Sequence, residues 1–217
     1  MRPERLVVVV GTGTDVGKTW VSARLLATLR AAGVTVAARK PAQSFSPGDD
    51  PAGLDAAVLG AASGEPAATV CRPRRCYEVA MAPPMAADVL GRGRFTMAEL
   101  VGELEWPRTR VEVGLVESAG GVRSPLSHDG DAVALVDALA PEIVLLVADA
   151  GLGTLNAVRL CTGALPGGVQ VVTVVNRYDA HDELHVRNRR WLREQDGLHV
   201  VGLPGEESAL AELVRGR

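Results

Sequence analysis

Leu6-Val7-Val8-Val9-Val10-Gly11-Thr12-Gly13-Thr14-Asp15-Val16-Gly17-Lys18-Thr19 is the stretch from which the rest of the chain can be read. Five consecutive apolar residues give a strand buried on both faces. A glycine-bearing loop follows, and Thr19–Ala32, rich in Ala and Leu, reads as a helix. A strand, a loop ending in Gly-Lys-Thr and a helix form a phosphate cradle. Backbone N–H groups and the positive helix end face the anion, Lys18 adds a full charge, and the Thr19 hydroxyl can hold Mg²⁺. The usual spacing places a glycine where Thr12 stands; here it is one residue earlier, at Gly11. Gly13 stands where the deviant loops of partition-type ATPases carry a second lysine, which argues against that group.

Further apolar runs recur at Val34–Ala38, Val113–Val116, Ile143–Ala148, Val169–Val175 and His199–Leu203. Helical patterns occupy Leu54–Ala62, Thr96–Glu105, Asp131–Leu139, Leu155–Ala164 and Asp182–Glu194. This alternation predicts an α/β fold of the P-loop NTPase-like kind, a mostly parallel central sheet with helices on both faces, in one domain over residues 1–217. Ligands in such sheets sit at the carboxyl ends of the strands. The irregular stretches Phe45–Pro51 and Arg72–Pro84 are therefore candidate substrate loops.

The 217 residues carry a net charge of −3 and only 3% aromatics, so neither a nucleic-acid partner nor a base-stacking platform is expected. Arg187-Asn188-Arg189-Arg190 reads as a solvated helix face. No leader or membrane span is read, and the expected location is the cytoplasm. Cys71, Cys76 and Cys161 read as reduced thiols without the partners of a zinc site. His181 and His185 have metal-ligand spacing on a helix but no acid to complete a zinc motif. His128 and His199 belong to no constellation.

Several polar residues fall at strand ends. Glu117 closes the Val113–Val116 run, where a carboxylate holds Mg²⁺ or its water, and the small-residue turn Ser118-Ala119-Gly120-Gly121 follows. Lys40, the only lysine besides Lys18, closes Val34–Ala38, and Ser44 lies just beyond. Two lysines in a chain otherwise using arginine suggest a need for the compact ammonium charge. Asp55 opens a helix and fits either a dipole-stabilised acid or a metal ligand. Asn176 and Arg177 end a strand in a sequence like the Asn-Lys-x-Asp base-reading motif of GTPases, with Arg for Lys.

Together these residues resemble the ATP-dependent dethiobiotin synthetases. The family loop Gly-Thr-x-Thr-x-Val-Gly-Lys-Thr is reproduced by Gly11–Thr19, shifted glycine included. Lys40-Pro41-Ala42-Gln43-Ser44-Phe45 is similar to the family's Lys-Pro-Val-x-Ser/Thr-Gly, and Asp55 matches its helix-opening aspartate. Val116–Gly121, Leu152–Asn156, Asn176, Leu203-Pro204-Gly205 and Met81-Ala82-Pro83-Pro84 match further family segments in order.

The resemblance implies ATP- and Mg²⁺-dependent carboxylation of 7,8-diaminononanoate by CO2 to a cyclic urea, in a cytoplasmic homodimer with sites at the interface. It implies Lys18 and Lys40 as catalytic groups and Thr19, Asp55 and Glu117 around Mg²⁺. It implies nucleotide contacts from Thr14, Asp15, Val16, Gly17, Lys18, Thr19, Trp20, Asp55, Glu117, Ser118, Ala119, Gly120, Asn176, Arg177, Leu203, Pro204 and Gly205. Substrate contacts would come from Thr14, Lys40 and Ser44, and from Gly153, Thr154, Leu155 and Asn156 of a second subunit.

Phe45 and Ser118 replace family glycines beside the expected substrate, and the chain is slightly shorter near the adenine contacts. These departures keep open a related ligase for another amine. A P-loop switch ATPase is the other alternative, and it would want a second loop lysine or Asn-Lys-x-Asp.

Overall fold

In the computed structural model, residues 1–216 are described. The main sheet is built from β1 (Arg5–Gly11), β2 (Val36–Arg39), β5 (Val113–Glu117), β6 (Ile143–Asp149), β7 (Gln170–Asn176) and β8 (His199–Gly202), in the order β2-β5-β1-β6-β7-β8. Every pairing in it is parallel. A small parallel pair, β3 (Gln43–Ser44) and β4 (Cys76–Tyr77), stands apart from it. The helices are α1 (Lys18–Ala31), α2 (Asp55–Ser63), α3 (Ala67–Val70), α4 (Pro83–Val89), α5 (Met97–Gly102), α6 (Ala132–Leu139), α7 (Thr154–Ala164), α8 (Glu183–Glu194) and α9 (Glu207–Arg215).

The continuous apolar runs are explained by two cores, one on each face of the sheet. Leu6, Val8 and Val10 of β1 join Phe95, Leu100, Leu135, Val158 and Leu192 on one side. Val7 and Val9 point to the other, with Leu25, Leu26 and Leu29 of α1, Leu59 of α2 and Leu210 and Val214 of α9. In β6 the same alternation sends Val144 and Leu146 one way and Ile143, Leu145 and Val147 the other. Leu145 is fully buried in a central strand. Leu145→Ala is expected to lower unfolding stability by about 2–5 kcal/mol, read from a urea midpoint shift at constant slope.

Three helix starts are closed by a side chain at their own N-cap. Asp131 accepts from the Val133 and Ala134 amides, Asp182 from those of Leu184 and His185, and Thr96 forms a capping box with Glu99. α1 and α7 differ: each begins at a left-handed glycine, Gly17 or Gly153, with no side-chain cap.

Two expectations change. His181 lies before α8 rather than on a shared helical face with His185. The basic run on α8 is a solvated face except at Asn188, which is buried and donates to the Ala150 and Gly151 carbonyls at 3.0 Å. Arg187, Arg189 and Arg190 pair with Glu183, Glu206 and Glu194.

Candidate active site

The loop from Gly11 to Thr19 joins the end of β1 to the start of α1. Gly17 sits at φ +89°, a conformation that side chains resist. The uncapped first turn of α1 leaves its N–H groups for an anion. Lys18 Nζ folds over the loop and donates to the Gly13 carbonyl at 2.9 Å. Burial and the neighbouring Lys40 charge push the Lys18 amine down to about 8. A polyphosphate would supply the negative charge this amine is short of.

Asn176, at the end of β7, supports the loop from below. It is buried, and its Nδ2 donates to the Val16 carbonyl at 2.9 Å. A methyl group on Gly17 would fall 2.0 Å from that nitrogen. Gly17→Ala is therefore expected to weaken nucleotide binding by at least about 10-fold, the clash adding to the left-handed strain. Calorimetric titration checks this, and Asn176→Ala in the same chain should restore part of the loss.

Beside the loop lies a charged cluster. Because β5 pairs with β1 on one side and β2 on the other, with Val9 opposite Glu117 and Arg39 opposite Val116, Glu117 and Lys40 emerge at one sheet edge. Lys40 Nζ lies 2.7 Å from Asp55 Oδ2 and 2.8 Å from Glu117 Oε1, and donates to the Ser118 carbonyl at 2.9 Å. The Thr19 hydroxyl is 2.6 Å from Asp55 Oδ1 and 2.8 Å from Glu117 Oε1. Ser22 of α1 donates to Glu117 Oε2 at 2.7 Å. Lys40 and Glu117 are almost wholly buried.

Burial opposes the charge on Lys40, but Glu117 and Asp55 outweigh it and raise its pKa above the ordinary lysine value. Burial likewise opposes the charge on Asp55, and Lys40 holds its carboxyl below the usual range. Two carboxylates, each within hydrogen-bond reach of one hydroxyl between them, are a hard-oxygen donor set of the kind Mg²⁺ takes next to phosphates. Thr19, Asp55 and Glu117 thus fit that ion.

A cleft of about 770 Å³ opens over this cluster. Among the expected residues it is lined by Thr14, Asp15, Gly17, Lys18, Thr19, Lys40, Ser44, Asp55, Ala119, Gly120 and Arg177. Met81, Ala82 and Pro83 close one side, as expected of that loop, and the Ser44 hydroxyl is buried without a partner. Gln43 and Ser124 also line the cleft, although nothing in their sequence context singled them out.

Other expected residues lie elsewhere. Ser118 is fully buried and meets the site through its carbonyl, so its hydroxyl does not reshape the cleft wall. Phe45 lines a smaller recess beside Ser44 rather than the main cleft. Val16 is half-buried against the core that holds α1, and Trp20 is exposed with Arg24 over its ring at 5.6 Å. Arg177, in the cleft wall, donates to the Asp15 carbonyl at 2.7 Å and pairs with Asp149 outside it. Leu203 is joined to this region through Tyr178, whose amide donates to its carbonyl at 2.8 Å, and Pro204 and Gly205 follow at the surface. Gly153, Thr154, Leu155 and Asn156 are outside this cleft, at the start of α7.

A parallel sheet with an uncapped phosphate loop at its carboxyl edge, and acids and a second lysine beside it, defines a P-loop nucleotide-binding protein. The AAA-domain family matches residues 5–210. The fold is similar to that of the signal recognition particle receptor FtsY from Elizabethkingia anophelis, with TM-score 0.53 and 16% identity over 91% of this chain; the match spans 57% of the receptor chain.

Curated relatives narrow the class. The ATP-dependent dethiobiotin synthetase BioD of Haloferax mediterranei is 38% identical over 90% of this chain and 82% of that protein. The proteins of the same name from Caulobacter sp. (strain K31) and Anaeromyxobacter sp. are 36% and 35% identical, covering 80% and 79% of this chain and 77% and 75% of theirs. The chain belongs to the ATP-dependent dethiobiotin synthetase family, whose members are ligases.

Proposed function

We propose that this protein carboxylates 7,8-diaminononanoate with CO2 at the expense of MgATP, closing the cyclic urea of dethiobiotin in the biosynthesis of biotin. The observation that carries the reading is the position of Lys40. It is a buried ammonium between two acids, at the mouth of an uncapped phosphate loop and in the wall of a cleft.

One amine nitrogen of the substrate takes up CO2 and loses a proton to give a carbamate. A carbamate oxygen attacks the γ-phosphorus of ATP and ADP leaves. The second amine then attacks the carbamate carbon, phosphate leaves, a proton is lost and the ring closes. The sequence of steps needs no nucleophile from the protein, so its work is positioning and charge neutralisation. Lys18 and the first-turn amides of α1 hold the transferring phosphate. Lys40 neutralises the carbamate before and after phosphorylation, and Ser44 offers its unpartnered hydroxyl to the substrate. Thr19, Asp55 and Glu117 hold Mg²⁺. When bound, that ion adds positive charge where the phosphates carry most negative charge.

In this reading the nucleotide spreads over Thr14–Trp20, with Ser118–Gly120 beside its phosphates and Asn176, Arg177 and Leu203–Gly205 toward its base. The start of α7, contributed by a second copy in a homodimer, binds the substrate's tail carboxylate. Support for that comes from the uncapped left-handed Gly153, the buried and unpartnered Thr154 hydroxyl, and the exposed Leu152 and Leu160 nearby. The single-domain chain acts in the cytoplasm; among the described residues no helix is long and apolar enough to cross a membrane.

Phosphate release from ATP tests the reaction. It should require both the diamine and bicarbonate. Release in the absence of any amine would identify a switch ATPase, and release driven by another amine alone would identify a different ligase.

A further inference from the structure

Two thiols lie behind the cleft, outside the proposed chemistry. Cys71 follows α3 and Cys76 opens β4. One 3-10 turn, Pro73–Arg75, folds the chain between them so that their sulfurs lie 3.6 Å apart. Cys71 is buried and Cys76 is partly open. Gln43 joins this pair to the active site: its Nε2 donates to Cys76 Sγ at 3.3 Å, and its Oε1 accepts from the Ala56 amide at 2.9 Å, next to Asp55. The Lys40 amide donates to the Val70 carbonyl at 2.8 Å, immediately before Cys71.

We propose that Cys71 and Cys76 form a reversible disulfide with an anionic low-molecular-weight disulfide as oxidant, and that Gln43 transmits its formation to the nucleotide site. Arg72, Arg74, Arg75 and Arg92 surround the turn against Glu103 and Glu105, leaving positive charge for an anionic reagent, and Arg92 donates to the Cys76 carbonyl at 2.8 Å. Hydrogen bonding from Cys71, helped by Gln43 and Arg92 and opposed by burial, lowers the pKa of the Cys76 thiol. The bond to Cys76 and burial raise that of Cys71. Cys76 is therefore the attacking thiolate and Cys71 the resolving thiol.

The Cys76 thiolate attacks one sulfur of the oxidant and expels one thiolate, leaving a mixed disulfide. Cys71 gives its proton to solvent, attacks the Cys76 sulfur and expels the second thiolate. Two electrons pass from the protein thiols to the oxidant, which leaves as two thiols. Closing the gap to the ~2.05 Å of a disulfide pulls Cys76 Sγ away from Gln43. Gln43 also holds the first turn of α2, so Asp55 and Ser44 lose a fixed support.

The test treats the full chain with glutathione disulfide, followed by mass mapping and titration with Mg²⁺ and the non-hydrolysable analogue adenylyl imidodiphosphate. The fragments carrying Cys71 and Cys76 should become linked, lose about two mass units together, retain no glutathione and revert with dithiothreitol. Analogue affinity should fall at least about fivefold on oxidation. Cys71→Ala should trap glutathione on Cys76, and Cys76→Ser should keep its affinity under the same treatment. Retained adducts on both cysteines, or no reaction at either, would overturn the disulfide. A disulfide that leaves analogue affinity unchanged would overturn the route through Gln43. The reduced protein gives the baseline, so a failure of nucleotide binding itself is seen separately.

Discussion

Lys40→Ala is expected to lower turnover by about 10²–10³-fold, the usual loss when one preorganised charge facing a developing anion is removed. Nucleotide affinity should change by no more than about threefold, because Lys18 and the amides of α1 make the phosphate contacts. The structure adds a second consequence. Lys40 occupies Asp55 Oδ2 and Glu117 Oε1, two oxygens that the proposed Mg²⁺ site uses. Without its ammonium, those carboxylates bind a cation more readily, so the Mg²⁺ half-saturation should move to lower concentration. Lys40→Met keeps the buried stem and separates loss of charge from loss of packing. Steady-state kinetics with a magnesium titration reads both effects, and unchanged turnover would remove Lys40 from the chemistry.

Glu117→Gln should have the opposite effect on the metal. The side chain is fully buried, and its two oxygens serve Thr19, Lys40 and Ser22. An amide of the same shape removes the charge and presents a donor toward partners that themselves donate. Mg²⁺-dependent nucleotide binding should weaken by about 10–100-fold, as when a group orienting a metal site is lost. Nucleotide binding measured with excess chelator should change little. Equal magnesium dependence in the variant and the parent would count against Glu117 as a ligand.

The sheet was legible because its strands are covered on both faces. Five- to seven-residue apolar runs such as Leu6–Val10 and Ile143–Ala148 have no soluble alternative at that length. The order of those runs also placed Lys40 and Glu117 at one edge. What escaped was short or locally ambiguous. α4 begins with Pro83 and Pro84, which read as a loop although proline is well suited to a first helical turn. α9 follows the Pro204-Gly205 turn closely. Its core-facing Leu210, Ala211 and Val214 carried a helical period that the turn obscured. The two-residue strands Gln43–Ser44 and Cys76–Tyr77 hold no periodicity at all.

Within the site, the limits have the same origin. Asp55 could be read as a helix-opening acid, and only its contact with Thr19, 36 positions away, separates that from a ligand role. Ser22 and Gln43 meet the cluster through contacts across the fold, Ser22 reaching Glu117 from α1 and Gln43 reaching the Ala56 amide. No local pattern announces either one. The tie from the Asn176 amide to the Val16 carbonyl, which braces the phosphate loop across 160 positions, is likewise invisible in the local sequence.

The most direct test of the whole account is mass spectrometry of the product formed from 7,8-diaminononanoate, ATP and ¹³C-bicarbonate. The reading here predicts a cyclic urea carrying the label, formed in step with ADP and phosphate. ATP turnover that yields phosphate but leaves the diamine without the label would contradict it.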